Sequence, residues 1–225
     1  SHPTRGGVHG RNERCRARRS GLRRSAGDGG GVHVLAYAPH ESGFVLMKLY
    51  AASFSTSSSL ACTGGSGRPI SCRSCDASSI EGVAALFTAL DASIGAPDLV
   101  VYNPSARLRG PITDLDPEAT RTAFEVTCFG AFLVAQQAAR RMLARGSGSI
   151  LFTGASAGVK GFANSSVFAM GKFGLRGLAQ ALARELHPQN IHIGHFVIDG
   201  GIRSDRPDRQ DDGGDGMLDP DAIAN

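Results

Sequence analysis

Three short apolar runs separated by long helical stretches constrain this chain most. They are Asp98-Leu-Val-Val-Tyr102, Ser149-Ile-Leu-Phe-Thr153 and Ile191-His-Ile-Gly-His-Phe-Val-Ile198. Runs this short and this apolar suit strands buried on both faces, as in a parallel sheet. Asp116-Pro117-Glu118 opens the first intervening helix, with a capping carboxylate, a first-turn proline and an early negative charge. That helix is expected to run to about Arg145, where Gly146 stops it. A second helix is expected from about Ser165 to Leu186, ahead of Pro188. Strands and helices alternating at these lengths predict right-handed crossovers, hence an α/β, doubly wound parallel sheet flanked by helices.

The flanking segments extend the pattern. Ser78-Ser79-Ile80-Glu81 predicts a capping box and a helix whose inner face includes Ile80, Val83, Ala84, Phe87 and Leu90, ended by Gly95. Gly43–Tyr50 and Ile70–Asp76 are expected strands, and Asp199-Gly200-Gly201 breaks the one before it. Arg203–Gly216 reads as an acidic, Gly-rich loop, and Asp219-Pro220 caps a last short helix. Residues 1–24 hold eight arginines and one glutamate with no periodicity, so they read as a basic, disordered arm before a single domain over 25–225. Nucleic-acid binding by that arm lacks interleaved aromatics to support it. Residues 1–75 carry 11 Lys/Arg against 3 Asp/Glu, while residues 76–225 carry 13 against 17. No apolar run reaches the length of a membrane span, and the N-terminus lacks a secretory apolar segment, so a cytoplasmic protein is expected. The five cysteines, including Cys72-x-x-Cys75, read as reduced structural thiols, since no second pair completes a zinc site.

Phe168-Ala-Met-Gly-Lys172, the Gly148–Gly158 segment before it and the Asn103-Pro104-Ser105 turn, taken with the spacing between them, resemble the short-chain dehydrogenase/reductase family over residues 70–204 and less securely back to 25, which implies a Rossmann-like fold. Phe168-Ala-Met-Gly-Lys172 stands where that family has Tyr-x-x-x-Lys. Gly148–Gly158 is similar to its fifth strand and following loop, and the catalytic serine position, thirteen residues before Phe168, falls on Ala155. The family asparagine position falls on Thr127. The first strand, around Arg18–Arg24, is poorly formed, and the family's last strand is missing from these 225 residues.

The resemblance implies NADP or NAD as cofactor. Its Gly-x-x-x-Gly-x-Gly turn places Ser25, Gly29 and Gly31 in the three positions, with Gly27 in the same cluster, ahead of a helix N-terminus. Lys48 at the end of the second expected strand favours NADP, or is a solvated edge lysine. Asp76 and Ala77 would border the adenine, with Asp76 also serving to cap the next helix. Asn103-Pro104-Ser105 replaces Asn-Ala-Gly. Gly200, Ile202 and Ser204 would lie at the nicotinamide, next to Asp199, a proline in the family.

Hydride transfer to a carbonyl needs a proton donor and a second hydrogen bond at the developing oxyanion. Phe168 and Ala155 provide neither, so Lys172 is expected to hold ribose hydroxyls rather than tune a tyrosine. Asn164 and Ser165, on the helix face of Phe168, are stand-in candidates, as are Ser156, His192 and His195. For each of these five a capping or packing role is the plainer reading. The resemblance implies an NAD(P)-dependent oxidoreductase acting on a small carbonyl or alcohol. The alternative is a nucleotide-binding protein without turnover. It also implies homodimers or homotetramers formed through helices 117–145 and 165–186.

Overall fold

The computed structural model describes residues 32–37, 44–49, 61–63, 69–93, 95–203 and 217–224. Its strands are β1 (Val32–Tyr37), β2 (Phe44–Leu49), β3 (Ala61–Thr63), β4 (Pro69–Cys75), β5 (Leu99–Tyr102), β6 (Gly148–Ala155) and β7 (Ile191–Ile198). They form one seven-stranded sheet in the order β3-β4-β1-β2-β5-β6-β7. Strands β2, β5, β6 and β7 pair in parallel, as the apolar runs predict. β1 instead runs antiparallel to both β2 and β4, and β3 antiparallel to β4. Chain length explains the reversals. Only six residues join β1 to β2 and five join β3 to β4, whereas a parallel crossover needs about a dozen. β1 itself was not among the expected strands, although Val-His-Val-Leu-Ala-Tyr has the β-branched enrichment of one.

Helices α1 (Ile80–Ser93), α2 (Pro117–Phe124), α3 (Gly130–Arg145) and α4 (Ser166–Leu186) cover the sheet. A further two-stranded sheet, β8 (Gly201–Ile202) with β9 (Met217–Leu218), precedes the short α5 (Pro220–Ala224). The cap of α1 lies one residue later than expected. Ser79 Oγ accepts from the Gly82 N–H, while Ser78 is held by Asp76 Oδ1 through both its N–H and its hydroxyl. Ile80 is therefore 58% exposed, and Leu86 joins Val83, Phe87 and Leu90 in the core. Asp116 caps α2 as expected by accepting from Ala119 N–H at 2.7 Å, and Gly146 ends α3 in the left-handed region at φ 81°.

The expected single helix from 117 to 145 is interrupted by a π turn over Glu125–Phe129. There the Gly130 N–H reaches back five residues to Glu125 O, and the Tyr102 hydroxyl donates to Val126 O. Gly130 is required at this crossing, because a Cβ would lie 2.5 Å from the Tyr102 hydroxyl and 2.6 Å from Ala77 O. The core, made of Phe87, Leu90, Tyr102, Met142, Ile150, Phe152, Leu175 and Ile191, joins β5, β6 and β7 to α1, α3 and α4.

Candidate active site

The carboxyl ends of β5, β6 and β7 open into one cleft of about 680 Å³. Ligands in open α/β sheets bind at this end of the strands. Loop 103–111 supplies Asn103, Ser105, Arg107 and Arg109. The end of β6 and its following turn supply Thr153 to Ala157, the start of α4 supplies Phe168 and Lys172, and residues 198–202 close the far wall.

Lys172 is the chemical centre of this wall. It is 2% exposed, and its Nζ donates to Thr153 O at 2.7 Å. Burial, assisted by the Arg107 charge, pulls its pKa down to about 8. An ammonium has three donors and one is spent on Thr153, which leaves two for a ligand. Phe168 is buried with Ala155 and Ala157 in a small apolar cluster, so the thirteen-residue spacing does bring Phe168 and Ala155 together. The Lys172 Nζ lies 5.7 Å from the Phe168 ring centroid, and the Arg107 guanidinium lies over the same ring at 3.9 Å.

Other expected residues are placed differently. Thr127 is buried beneath the cleft rather than in it. Its Oγ1 accepts from the Ala106 N–H at 3.0 Å and so braces the loop that carries Ser105 and Arg107. The π turn carries Thr127 to this position. Asn164 and Ser165 do line the cleft, but neither is on the helix. Asn164 is left-handed at φ 58°, Ser165 is the residue before the first turn of α4, and Asn164 O accepts from the Gly110 N–H. Ser156 lines the cleft as well.

His195 lies behind Gly154, where a Cβ would come within 2.4 Å of its ring, and its buried Nε2 has no partner among the described residues. Burial first, then Arg176 and Lys172, push its pKa below the usual histidine range, which favours the neutral ring. His192 lines a separate groove at the other end of β7.

Of the residues expected at or next to a cofactor, Asn103, Lys172, Asp199, Gly200 and Ile202 share the cleft. Asp76 and Ala77 lie away from it at the end of β4, with Ala77 fully buried and Asp76 Oδ1 occupied by Ser78. Gly27, Gly29, Gly31, Ser204 and the Lys48 side chain fall outside the described residues, as do residues 1–24 and most of 203–216. The residues that follow Gly31 form β1 and not a helix. The sequence reading passed over Arg107 and Arg109. Their signal was their place, two bases in the loop directly after a strand.

The short chain dehydrogenase family profile matches residues 36–210. The chain belongs to the short chain dehydrogenase family. Over 110 residues it is 34% identical to trans-4-hydroxycyclohexanecarboxylate dehydrogenase of Sinomonas cyclohexanicum, covering 49% of this chain and 42% of that protein. Over 131 residues it is 30% identical to the 3-oxoacyl-(acyl-carrier-protein) reductase MabA of Mycobacterium bovis, covering 58% and 53%. A short-chain dehydrogenase structure from Rhodopseudomonas palustris superposes with a TM-score of 0.56 at 38% identity, over 63% of each chain. The chain thus spans about half the length of the curated relatives it matches. Among the described residues no helix is long and apolar enough to cross a membrane, and no cluster of side chains could hold a metal ion.

Proposed function

We propose that this cleft is the active site of an NAD(P)-dependent oxidoreductase that interconverts a small carbonyl compound and its alcohol. The observation that carries the reading is Lys172, a buried ammonium on the cleft wall with donors to spare, facing Asn103 and residues 199–202 across one cavity. These residues suit the ribose and nicotinamide half of a dinucleotide. Lys172 would hold ribose hydroxyls, and the 199–202 segment would border the ring. The bound cofactor would supply or accept the hydride. The names of the two curated relatives specify a hydroxy and an oxo substrate, which agrees with this reaction class.

The proton is the demanding part, since Phe168 has none to give. Lys172 and the hydroxyls of Ser105, Ser156 and Ser165 are groups in the cleft that can supply one, and Lys172 is the most acidic of them. At pKa about 8 the Lys172 ammonium is protonated at neutral pH and gives up a proton more readily than an ordinary lysine. Reduction is therefore expected to slow as pH rises through about 8.

Titrating NADPH and NADH into the protein while following nucleotide fluorescence, with a panel of aldehydes and ketones, tests the reading. Binding with turnover supports it. Binding without turnover would leave a nucleotide-binding protein, and no binding of either nucleotide would sink both. A Phe168→Tyr, Ala155→Ser double variant is expected to raise turnover by restoring the donor pair.

A further inference from the structure

The cleft carries more positive charge than cofactor binding by Lys172 requires. Arg107, Arg109 and Lys172 line it against one carboxylate, Asp199. Arg107 is solvent-exposed, yet it is held over a ring on the cleft wall. Its guanidinium carbon lies 3.9 Å from the centroid of the Phe168 ring, and that ring is itself fixed against Ala155 and Ala157. The loop is tied down on both sides of Arg107. Ala106 N–H donates to the buried Thr127 Oγ1, and Gly110 N–H donates to Asn164 O at the entry to α4. A cation over a ring face is held there by the ring quadrupole, and the guanidinium N–H groups can still meet an acceptor. Arg107 has a further contact within the protein, and five donors allow it to keep that contact while receiving a ligand.

We infer that the cleft selects substrates bearing a carboxylate, and that Arg107, mounted on the Phe168 ring, is the residue that receives it. This rests on reading the cleft as a substrate site. The ring supporting Arg107 stands at the tyrosine position of the family motif, beside the reacting centre. That location points to substrate rather than to the pyrophosphate of a dinucleotide. Arg109, two residues on, adds to the same positive field.

Calorimetric titration of the full chain with 4-acetylbenzoate and with the neutral 4-acetylbenzamide tests this. The acid is expected to bind about tenfold or more tightly than the amide, as a charge-assisted contact should. Arg107→Ala should erase that preference, Arg107→Lys should keep part of it, and Phe168→Leu should weaken it by removing the platform. Equal binding of the two probes, or a preference that survives Arg107→Ala, overturns the inference. So does inorganic pyrophosphate displacing 4-acetylbenzoate in the wild type but not in Arg107→Ala, since that assigns the arginine to the cofactor. If circular dichroism shows Arg107→Ala misfolded, Arg107→Gln decides on the same criteria. Selective binding of the acid with no NAD(P)H-dependent reduction sinks the oxidoreductase reading and leaves this inference standing. Reduction of both probes with equal kcat/KM does the reverse.

Discussion

At the scale of single residues, Lys172 sets the behaviour of the cleft with pH. Its folded pKa is about 8, against 10.5 for an ordinary lysine, because burial and Arg107 penalise the charged form. Between those values the unfolded chain keeps a proton that the folded chain has lost, so this group makes stability rise with pH across that window. Below about 8 the full penalty of a buried charge is present. Lys172→Met should therefore be most favourable relative to wild type at pH 7, with its advantage shrinking toward pH 10.5. Paired thermal melts across that range measure this, and parallel curves would refute it. The sequence made Lys172, Phe168 and Ala155 legible because motif spacing survives folding. Thr127, named by the same register, lies beneath the cleft and braces loop 103–111, because a motif fixes chain position but not which way a π turn carries a side chain. Arg107 escaped because its partner is a ring 61 residues away in the chain, a contact no local pattern encodes.

At the scale of elements, the join between β5 and α3 is the most exacting contact. Tyr102 is fully buried, burial raises its pKa strongly, and its hydroxyl donates to a carbonyl inside the π turn. Tyr102→Phe should cost about 1–3 kcal/mol by leaving that carbonyl unpaired, read as a fall in urea midpoint with unchanged slope. Gly130→Ala should cost at least as much, because its Cβ meets the Ala77 backbone, which cannot swing aside. By contrast, the bidentate Asp91–Arg141 pair linking α1 to α3 is solvent-facing. Arg141 holds the Asp91 carboxyl below its usual range, so the contribution is present at neutral pH and fades as pH falls through that range. Asp91→Asn should cost no more than about 1 kcal/mol, less at high salt. Helix and strand bounds from β5 to β7 were legible because strong caps and apolar runs agree there. The reversal of β1 was not, because strand direction is set by connection length and not by the composition of the strand.

At the scale of the whole molecule, α3 and α4 leave an apolar surface uncovered. α4 packs tightly on the π turn, where Gly171 meets Thr127 and Gly174 meets the Cys128 sulfur. That contact is satisfied within the chain. Phe129, Phe132, Met170 and Phe173 remain between 36% and 46% exposed, with the Phe129 and Phe132 rings stacked at 6.1 Å. Several large apolar side chains on neighbouring helices exceed the isolated exposed leucine or valine that needs no explanation. A second copy using the same two helices would bury them in a self-complementary contact, and a stable one needs about 800 Å² from each partner. The chain is therefore expected to run as a dimer or tetramer in size-exclusion chromatography with light scattering. Phe132→Glu combined with Phe173→Glu should shift it to monomer without loss of far-ultraviolet circular dichroism, since both side chains already face solvent within one chain. A wild-type protein that stays monomeric at tens of micromolar would refute the assignment. If the monomeric variant still binds nucleotide with wild-type affinity, the cleft is complete within one chain, in keeping with a lining drawn, among the described residues, from loop 103–111, β6, α4 and residues 198–202.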